Sequence, residues 1–348
     1  MTLNPPLRFG LFDQVEHPGS GSIADIYRDH IALAVKADSA GFEHYFKSEH
    51  HHVPLDAAPS VGVFLAALTQ ITSRIKLVSL VHLLPFYEPM RLFEELCMLD
   101  QLSAGRIEFG FGKGVSPPEH LLWNIDRNEV EARTEESLQI ILKAMHQVGT
   151  EGLGTLFSFE GKFWTYLNAP LELSPYQTPH PPLWRPGTLS TAAKLGVSTI
   201  VPGPVSVVLK KIGEHQQLVE PGLCPTQQPI LSLLRRVVIA PTDKEAEHIA
   251  RSGWATFDAN LTKLFRRYDL WPPHVPSFLG DFDQAVATDS LVFGSPQKVK
   301  EHFVHISENI PGGYVTICPS WGDISGFQAQ QTLDLFIENV MMDVRKAN

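Results

Sequence analysis

Short apolar runs alternate along this chain with longer segments in which apolar residues recur every three or four positions. LRFGLF (7–12) predicts a buried strand, and IADIYRDHIALAVKADSAG (23–41) predicts a helix closed by Gly41. FEHYFKSE (42–49) predicts a second strand, PSVGVFLAALTQITS (59–73) a helix, and RIKLVSLVHLL (74–84) a third strand. A helix over 87–105 ending at Gly105, then RIEFGFG (106–112), extend the alternation to a fourth strand. Repeated strand–helix units imply a parallel sheet with helices outside it, either doubly wound or closed into a (β/α)8 barrel.

The rhythm breaks after a helix over 130–148. Residues 154–175 alternate apolar and polar positions around Gly161 and predict a β-hairpin insertion. The α/β pattern then returns. PPLWRPG predicts a strand, LSTAAKLG a short helix, STIVPG a strand, and a helix runs from about 206 to 220. Residues 229–240 predict a strong strand, and a long helix follows from Thr242 to about Tyr268. Residues 269–289 are Pro-rich and aperiodic and predict a lid-like loop. A helix starts at Ser295 with Pro296 at its first position, 313–320 predicts the last strand, and 327–346 the last helix. The expected fold is therefore α/β, a (β/α)8 TIM barrel in one domain over 1–348, with insertions at about 154–175 and 269–289.

Composition narrows the partners. The chain is 43% hydrophobic, enough to bury a large core. Its net charge is 28 − 38 = −10, which argues against a general binder of nucleic acid or of anionic membranes. No apolar stretch reaches the length of a bilayer span, and the start, MTLNPPLRFG, lacks the pattern of a signal peptide. Cys97, Cys224 and Cys318 are far apart, which implies neither a disulfide framework nor a cysteine metal site. A cytoplasmic protein is expected.

A barrel of this kind carries its active site at the C-terminal ends of its strands. KSEHHHVP (47–54) follows the second predicted strand. On an extended stretch His50 and His52 would share a face and His51 would point away. A His-x-His pair could open the metal site of a barrel hydrolase. Such a site needs ligands on other strand ends, and only Asp323 offers itself, so no metal is expected. An acid–base or hydrogen-bonding role suits a group that titrates near pH ~6.5. A solvated loop without chemistry remains the plain alternative.

EFGFGKGV (108–115) places G-x-G-x-G directly after a strand. The third glycine comes one residue too early for a dinucleotide fingerprint, and Pro117 and Pro118 predict a loop rather than a helix. The glycines suit a close approach of backbone to something bulky, with Lys113 beside an anion. Near Arg185, Gly187 and Thr188 a strand runs into a helix start, which can hold phosphate or can simply be capped.

FGLFDQ, AGFEHYFKSEHH, LAALTQITSRIKL, LLPFYEPMRLFEELCMLDQLSAGRIEFGFGKG and FGSPQKVKEHF together resemble the bacterial luciferase-like flavin-dependent monooxygenase family over most of the chain. That resemblance implies a barrel, usually dimeric, which takes reduced FMN from a separate NAD(P)H-dependent flavin reductase. Dioxygen then forms a C4a-peroxyflavin, which oxygenates a small organic substrate. It further implies His50 as the catalytic histidine near the flavin ring, and a non-prolyl cis peptide at Leu80–Val81 with Val81 beside the ring. His82 would add a second catalytic donor. Gly112 and Lys113 would contact flavin, Lys113 standing where luciferases carry arginine. Glu119 would match an acidic position beyond that loop. The cradle after strand five is about four residues shorter than in luciferases, with Arg185, Gly187 and Thr188 as its phosphate contacts. A deazaflavin F420-dependent oxidoreductase and a flavin-binding protein without turnover are the related alternatives.

Overall fold

The computed structural model describes residues 5–187, 189–218, 223, 228–273 and 279–346. The first half follows the predicted alternation. β1 is Arg8–Asp13, α1 Ile23–Ala40, β2 His44–Lys47, α2 Val61–Thr69 and β3 Lys76–Ser79. A two-residue strand β4, His82–Leu83, precedes α3, Pro89–Ser103, and β5, Ile107–Gly112. Ser22 caps α1 by accepting the Asp25 N–H, and Gly41 ends it in the left-handed conformation that glycine adopts without a Cβ clash.

After β5 the chain forms α4, Pro117–Leu122, where a loop is expected from the two prolines. Pro117 sits in the first turn, where a missing N–H costs nothing. α5 is Val130–Glu151, and the hairpin insertion is β6, Thr155–Glu160, paired antiparallel with β7, Thr165–Leu171. β8 (Leu183–Trp184), α6 (Leu189–Leu195), β9 (Thr199–Val201), α7 (Val205–Leu218) and β10 (Leu231–Ile239) follow. α8, Asp243–Tyr268, is capped by Thr242. The Pro-rich segment is not wholly aperiodic: Asp281 caps a short helix α9, Phe282–Ala287. The next strand, β11 (Leu291–Gly294), has only four residues and too little pattern to stand out, but it pairs with the outer end of β10. α10 (Pro296–Asn309), β12 (Tyr314–Cys318) and α11 (Gly326–Phe336) come next. A π-helical stretch, Ile337–Met341, leads into α12, Met342–Lys346.

Pairing is parallel around the main sheet. β1 pairs with β2, β2 with β3, β3 with β5 and β5 with β8. On its other side β1 pairs with β12, β12 with β10, and β10 with β9. A parallel bridge between Trp184 and Ser198 joins β8 to the start of β9 and completes a ring of pairings. The ring interior is filled near its N-terminal end. The Phe46 ring meets Trp184 edge-on at 4.9 Å. Glu108 takes hydrogen bonds from the Trp184 indole and the His44 ring, and His44 also bonds Tyr314. A plugged floor leaves the C-terminal end as the open end. A second apolar layer lies outside, with Phe109 and Phe111 packed under α3 and α5. Among the described residues no helix is long and apolar enough to cross a membrane.

Candidate active site at the C-terminal end of the strands

The end of β2 is fixed from beneath. Lys47 is fully buried, and its Nζ donates to Asp56 Oδ1 at 2.9 Å, to Asp56 Oδ2 at 2.8 Å and to the Ser48 carbonyl at 2.7 Å. Asp56 also accepts the His50 N–H at 3.2 Å and the Ala58 N–H at 2.9 Å. Burial raises the Asp56 carboxyl above its usual range even though Lys47 pulls it down. The turn that carries the three histidines is thus bolted to a buried ion pair.

The histidines separate. His50 is partly buried, with Nδ1 3.8 Å from Glu119 Oε1, close enough for charge interaction though longer than a hydrogen bond. Burial lowers the His50 pKa, but Glu119 and Asp56 outweigh that effect and hold it above the ordinary value. His51 donates its N–H to Glu119 Oε1 at 2.8 Å, and its Nε2 bonds Glu49 Oε1 at 2.8 Å. Glu49 also accepts from Tyr87 Oη at 2.9 Å and the Leu83 N–H at 3.2 Å, so it ties β2 to the segment after β3. Burial pushes the Glu49 carboxyl up, against the pull of His51 and Tyr87. His52 does not share a face with His50 by strand alternation. Its φ of 60° is left-handed, so alternation ends there.

The Leu80–Val81 bond is cis, where the resemblance puts it. His82 does not have the surroundings of a second donor. It is fully buried among Tyr87, Phe109 and Glu95, on the side of the outer layer, and neither ring nitrogen has a hydrogen-bond partner. Burial pushes its pKa down to about 3, so it is a neutral, packed ring.

The glycines of EFGFGKG answer to the neighbouring strand. A Cβ on Gly110 would lie 1.8 Å from the Ser79 carbonyl oxygen, and one on Gly112 would lie 2.9 Å from Val81 Cγ2. Ser79 Oγ accepts the Gly110 N–H at 2.9 Å and donates to its carbonyl at 3.0 Å. The close approach expected from the spacing is therefore made by the Ser79 carbonyl at the end of β3 and by the Val81 side chain.

Lys113 and Arg185 meet on one carboxylate. Lys113 Nζ lies 2.7 Å from Glu131 Oε2, and Arg185 Nη2 3.0 Å from Glu131 Oε1. Burial raises the Glu131 carboxyl, but the two cations outweigh it and the net shift is downward. Arg185 also lies over the Phe111 ring, 5.4 Å from its centre. Gly187 has φ of 122°, and among the described residues nothing lies within 4 Å of where its Cβ would be. Thr188 lies outside the described residues. A cavity of about 340 Å³ adjoins Lys113 and is lined by His120, Arg127, Glu131, Pro272 and Pro273, so the start of the Pro-rich segment stands beside these cations. His120 Nε2 donates to the Lys113 carbonyl at 2.8 Å and fixes that loop on α4.

Across the ring lies a polar group that sequence reasoning missed. Glu16 is buried and accepts from the Gly322 N–H at 2.7 Å and from Asn260 Nδ2 at 2.7 Å. Burial pushes its pKa up to about 7. Arg236 donates to Gln14 Oε1 at 3.2 Å and lies against Phe257 of α8. The one signal in the sequence is the pair of arginines inside the apolar strand RRVVIA. α8 packs on β10 and β11 and also reaches α4, which links the two polar groups along one helix.

Among the described residues no three His, Cys, Asp or Glu side chains converge as metal ligands would.

A sequence profile of the family described as luciferase-like monooxygenase matches residues 7–310. The uncharacterized protein y4wF of Sinorhizobium fredii (strain NBRC 101917 / NGR234) is 32% identical, over 97% of each chain. Limonene 1,2-monooxygenase of Rhodococcus erythropolis is 25% identical, over 87% of this chain and 78% of its own. The oxygenating constituent of 3,6-diketocamphane monooxygenase from Pseudomonas putida, a type II Baeyer–Villiger monooxygenase solved with FMN, superposes with a TM-score of 0.72 at 22% identity, over 97% of this chain and 98% of its own.

Proposed function

The chain belongs to the luciferase-like monooxygenase family, and we propose that it uses reduced FMN and dioxygen to oxygenate a small organic substrate at the C-terminal mouth of the ring. Bound reduced flavin supplies the electrons that activate dioxygen, and the route through a C4a-peroxyflavin is part of this proposal. The observation that carries it is the meeting of Lys113 and Arg185 on Glu131 at the same end of the ring as His50 with Glu119.

The residues fit such a cofactor. Two cations and the open space at Gly187 would receive a phosphate. That phosphate has to displace Glu131, which neutralises both cations in its absence. Val81, packed against Gly112, would form the wall for a ring. His50, held by Asp56 through its backbone and by Glu119 through charge, would hold or pass a proton at that wall. α8 and the segment after it would exclude water.

The Pseudomonas putida protein is described as an oxygenating constituent. By analogy, a separate NAD(P)H-dependent flavin reductase delivers reduced flavin here. A homodimer is also proposed, through the outer face of α2 and α3, where Val63 is 72% and Met98 54% exposed beside Leu102.

Anaerobic titration with reduced FMN, reduced riboflavin and reduced F420 tests the reading. Reduced FMN should bind more tightly than riboflavin, and Lys113→Ala with Arg185→Ala should remove that difference. Absence of reduced FMN binding, or preference for F420, would overturn it.

A further inference from the structure

Arg236 stands at the C-terminal end of the ring, at the register of Cys318 on β12. Only 8% of it is exposed. Nη2 donates to Gln14, the guanidinium lies 4.0 Å from the centre of the Phe257 ring, and Nε has no hydrogen-bond partner. Among the described residues it forms no ion pair. The carboxylate whose charge acts on it, Glu16, is taken up by Gly322 and Asn260. A second buried polar atom without a partner among the described residues stands on the other flank of Gln14. Ser48, 2% exposed, donates its N–H to the Asp13 carbonyl at 3.2 Å and follows the Lys47–Asp13 pair, so it stands beside Gln14. Its Oγ has no partner.

Burying a guanidinium that makes no ion pair is expensive, and replacing such a charge with an apolar side chain is often neutral or stabilising. The arrangement makes sense when a ligand brings the missing charge. A guanidinium carries its donors in a planar fork, and the Nε–Nη2 edge is one on which a carboxylate can take two parallel bonds. Gln14 fixes the fork from one side and Phe257 covers its face. The place is also distinct from the phosphate cations. Lys113 and Arg185 follow β5 and β8, whereas Gln14 follows β1 and Arg236 lies in β10, across the ring in the order of pairing.

We propose that Arg236, held by Gln14 and assisted by Ser48, recognises a carboxylate group on the organic substrate. The substrate class is therefore organic acids. This rests on the reading that substrate is oxygenated at the mouth of the ring.

Calorimetry tests it with benzoate, cyclohexanecarboxylate and octanoate against their primary amides, on the full chain. At least one carboxylate should bind tenfold or more tighter than its amide, as a charge-assisted pair implies. Arg236→Met should bring the two within about twofold, Arg236→Lys should keep part of the preference, and Gln14→Leu should weaken it about threefold. The Met variant should melt no lower than the native protein. The proposal is overturned if no carboxylate outbinds its amide, if Arg236→Met keeps the preference, or if that variant melts well below the native protein. It is also overturned if Arg236→Met weakens FMN but not riboflavin, which would make the arginine a contact of the flavin phosphate. Carboxylate preference without reduced FMN binding would defeat the proposed function and leave this site standing. FMN binding without carboxylate preference would do the reverse.

Discussion

Asp56→Asn removes the charge that holds the histidine turn to its strand. In the native protein both side chains of the Lys47–Asp56 pair are completely buried, with Nζ to carboxylate distances of 2.9 and 2.8 Å. The variant leaves the ammonium two neutral acceptors, the Ser48 carbonyl at 2.7 Å and the amide oxygen of the new side chain, but no counter-charge. Stranding one member of a buried pair costs about 3–5 kcal/mol. The loss is therefore about 3–5 kcal/mol near neutrality. At about 2.1 cal/mol/K per residue, unfolding this chain carries an entropy near 0.7 kcal/mol/K, so the loss appears as a melting point about 4–7 °C lower. Scanning calorimetry of both proteins at pH 7 measures it. A deficit under about 1 kcal/mol would refute the reasoning.

Three further outcomes follow from the same end of the ring. Glu16, pushed up to about 7 by burial, keeps its proton in the folded state where the unfolded chain, near its ordinary 4.5, has lost it. The stability this contributes is complete below about 4.5 and disappears as pH rises through 7, so Glu16→Gln should flatten the fall of melting temperature between those values; an unchanged slope would contradict it. Glu119→Gln should move the NMR titration midpoint of His50 downward, because Glu119 is the larger of the two attractions that outweigh burial there. An unmoved midpoint would mean that Glu119 does not act on His50. Glu131→Gln should tighten FMN binding about fivefold, since a unit charge roughly 6 Å from a phosphate in water is worth about 1 kcal/mol. Weaker binding by this variant in a fluorescence titration would show that Glu131 positions the cations instead of competing for them.

Most of the framework is legible in the sequence because it depends on local patterns. The Gly41 cap, the Ser295–Pro296 start and the hairpin insertion all appear where periodicity and turn chemistry put them. α4 is obscured because Pro117 breaks a helix interior yet suits a first turn, and the spacing alone does not say which applies. At the site, position along the chain is readable but direction is not. His82 follows β3 as expected, yet its ring packs against Phe109 in the outer layer. His52 is next to a strand end, yet a single left-handed residue cancels the alternation that would place it with His50. The glycines of β5 signal a close approach, and only the fold shows that the approaching group is the Ser79 carbonyl. Arg236 looks like one polar residue in an apolar strand, since its unpartnered Nε is a property of distant residues brought together.

The central claim is that the mouth beside His50 binds reduced FMN and governs its reaction with dioxygen. Stopped-flow mixing of the protein and reduced FMN with air-saturated buffer, followed by flavin absorbance, tests it most directly. The native protein should hold the flavin through a transient oxygenated species and reoxidise it more slowly than flavin free in solution, and His50→Ala should shorten that lifetime. Reoxidation at the free-flavin rate by the native protein, with no transient, would contradict the claim.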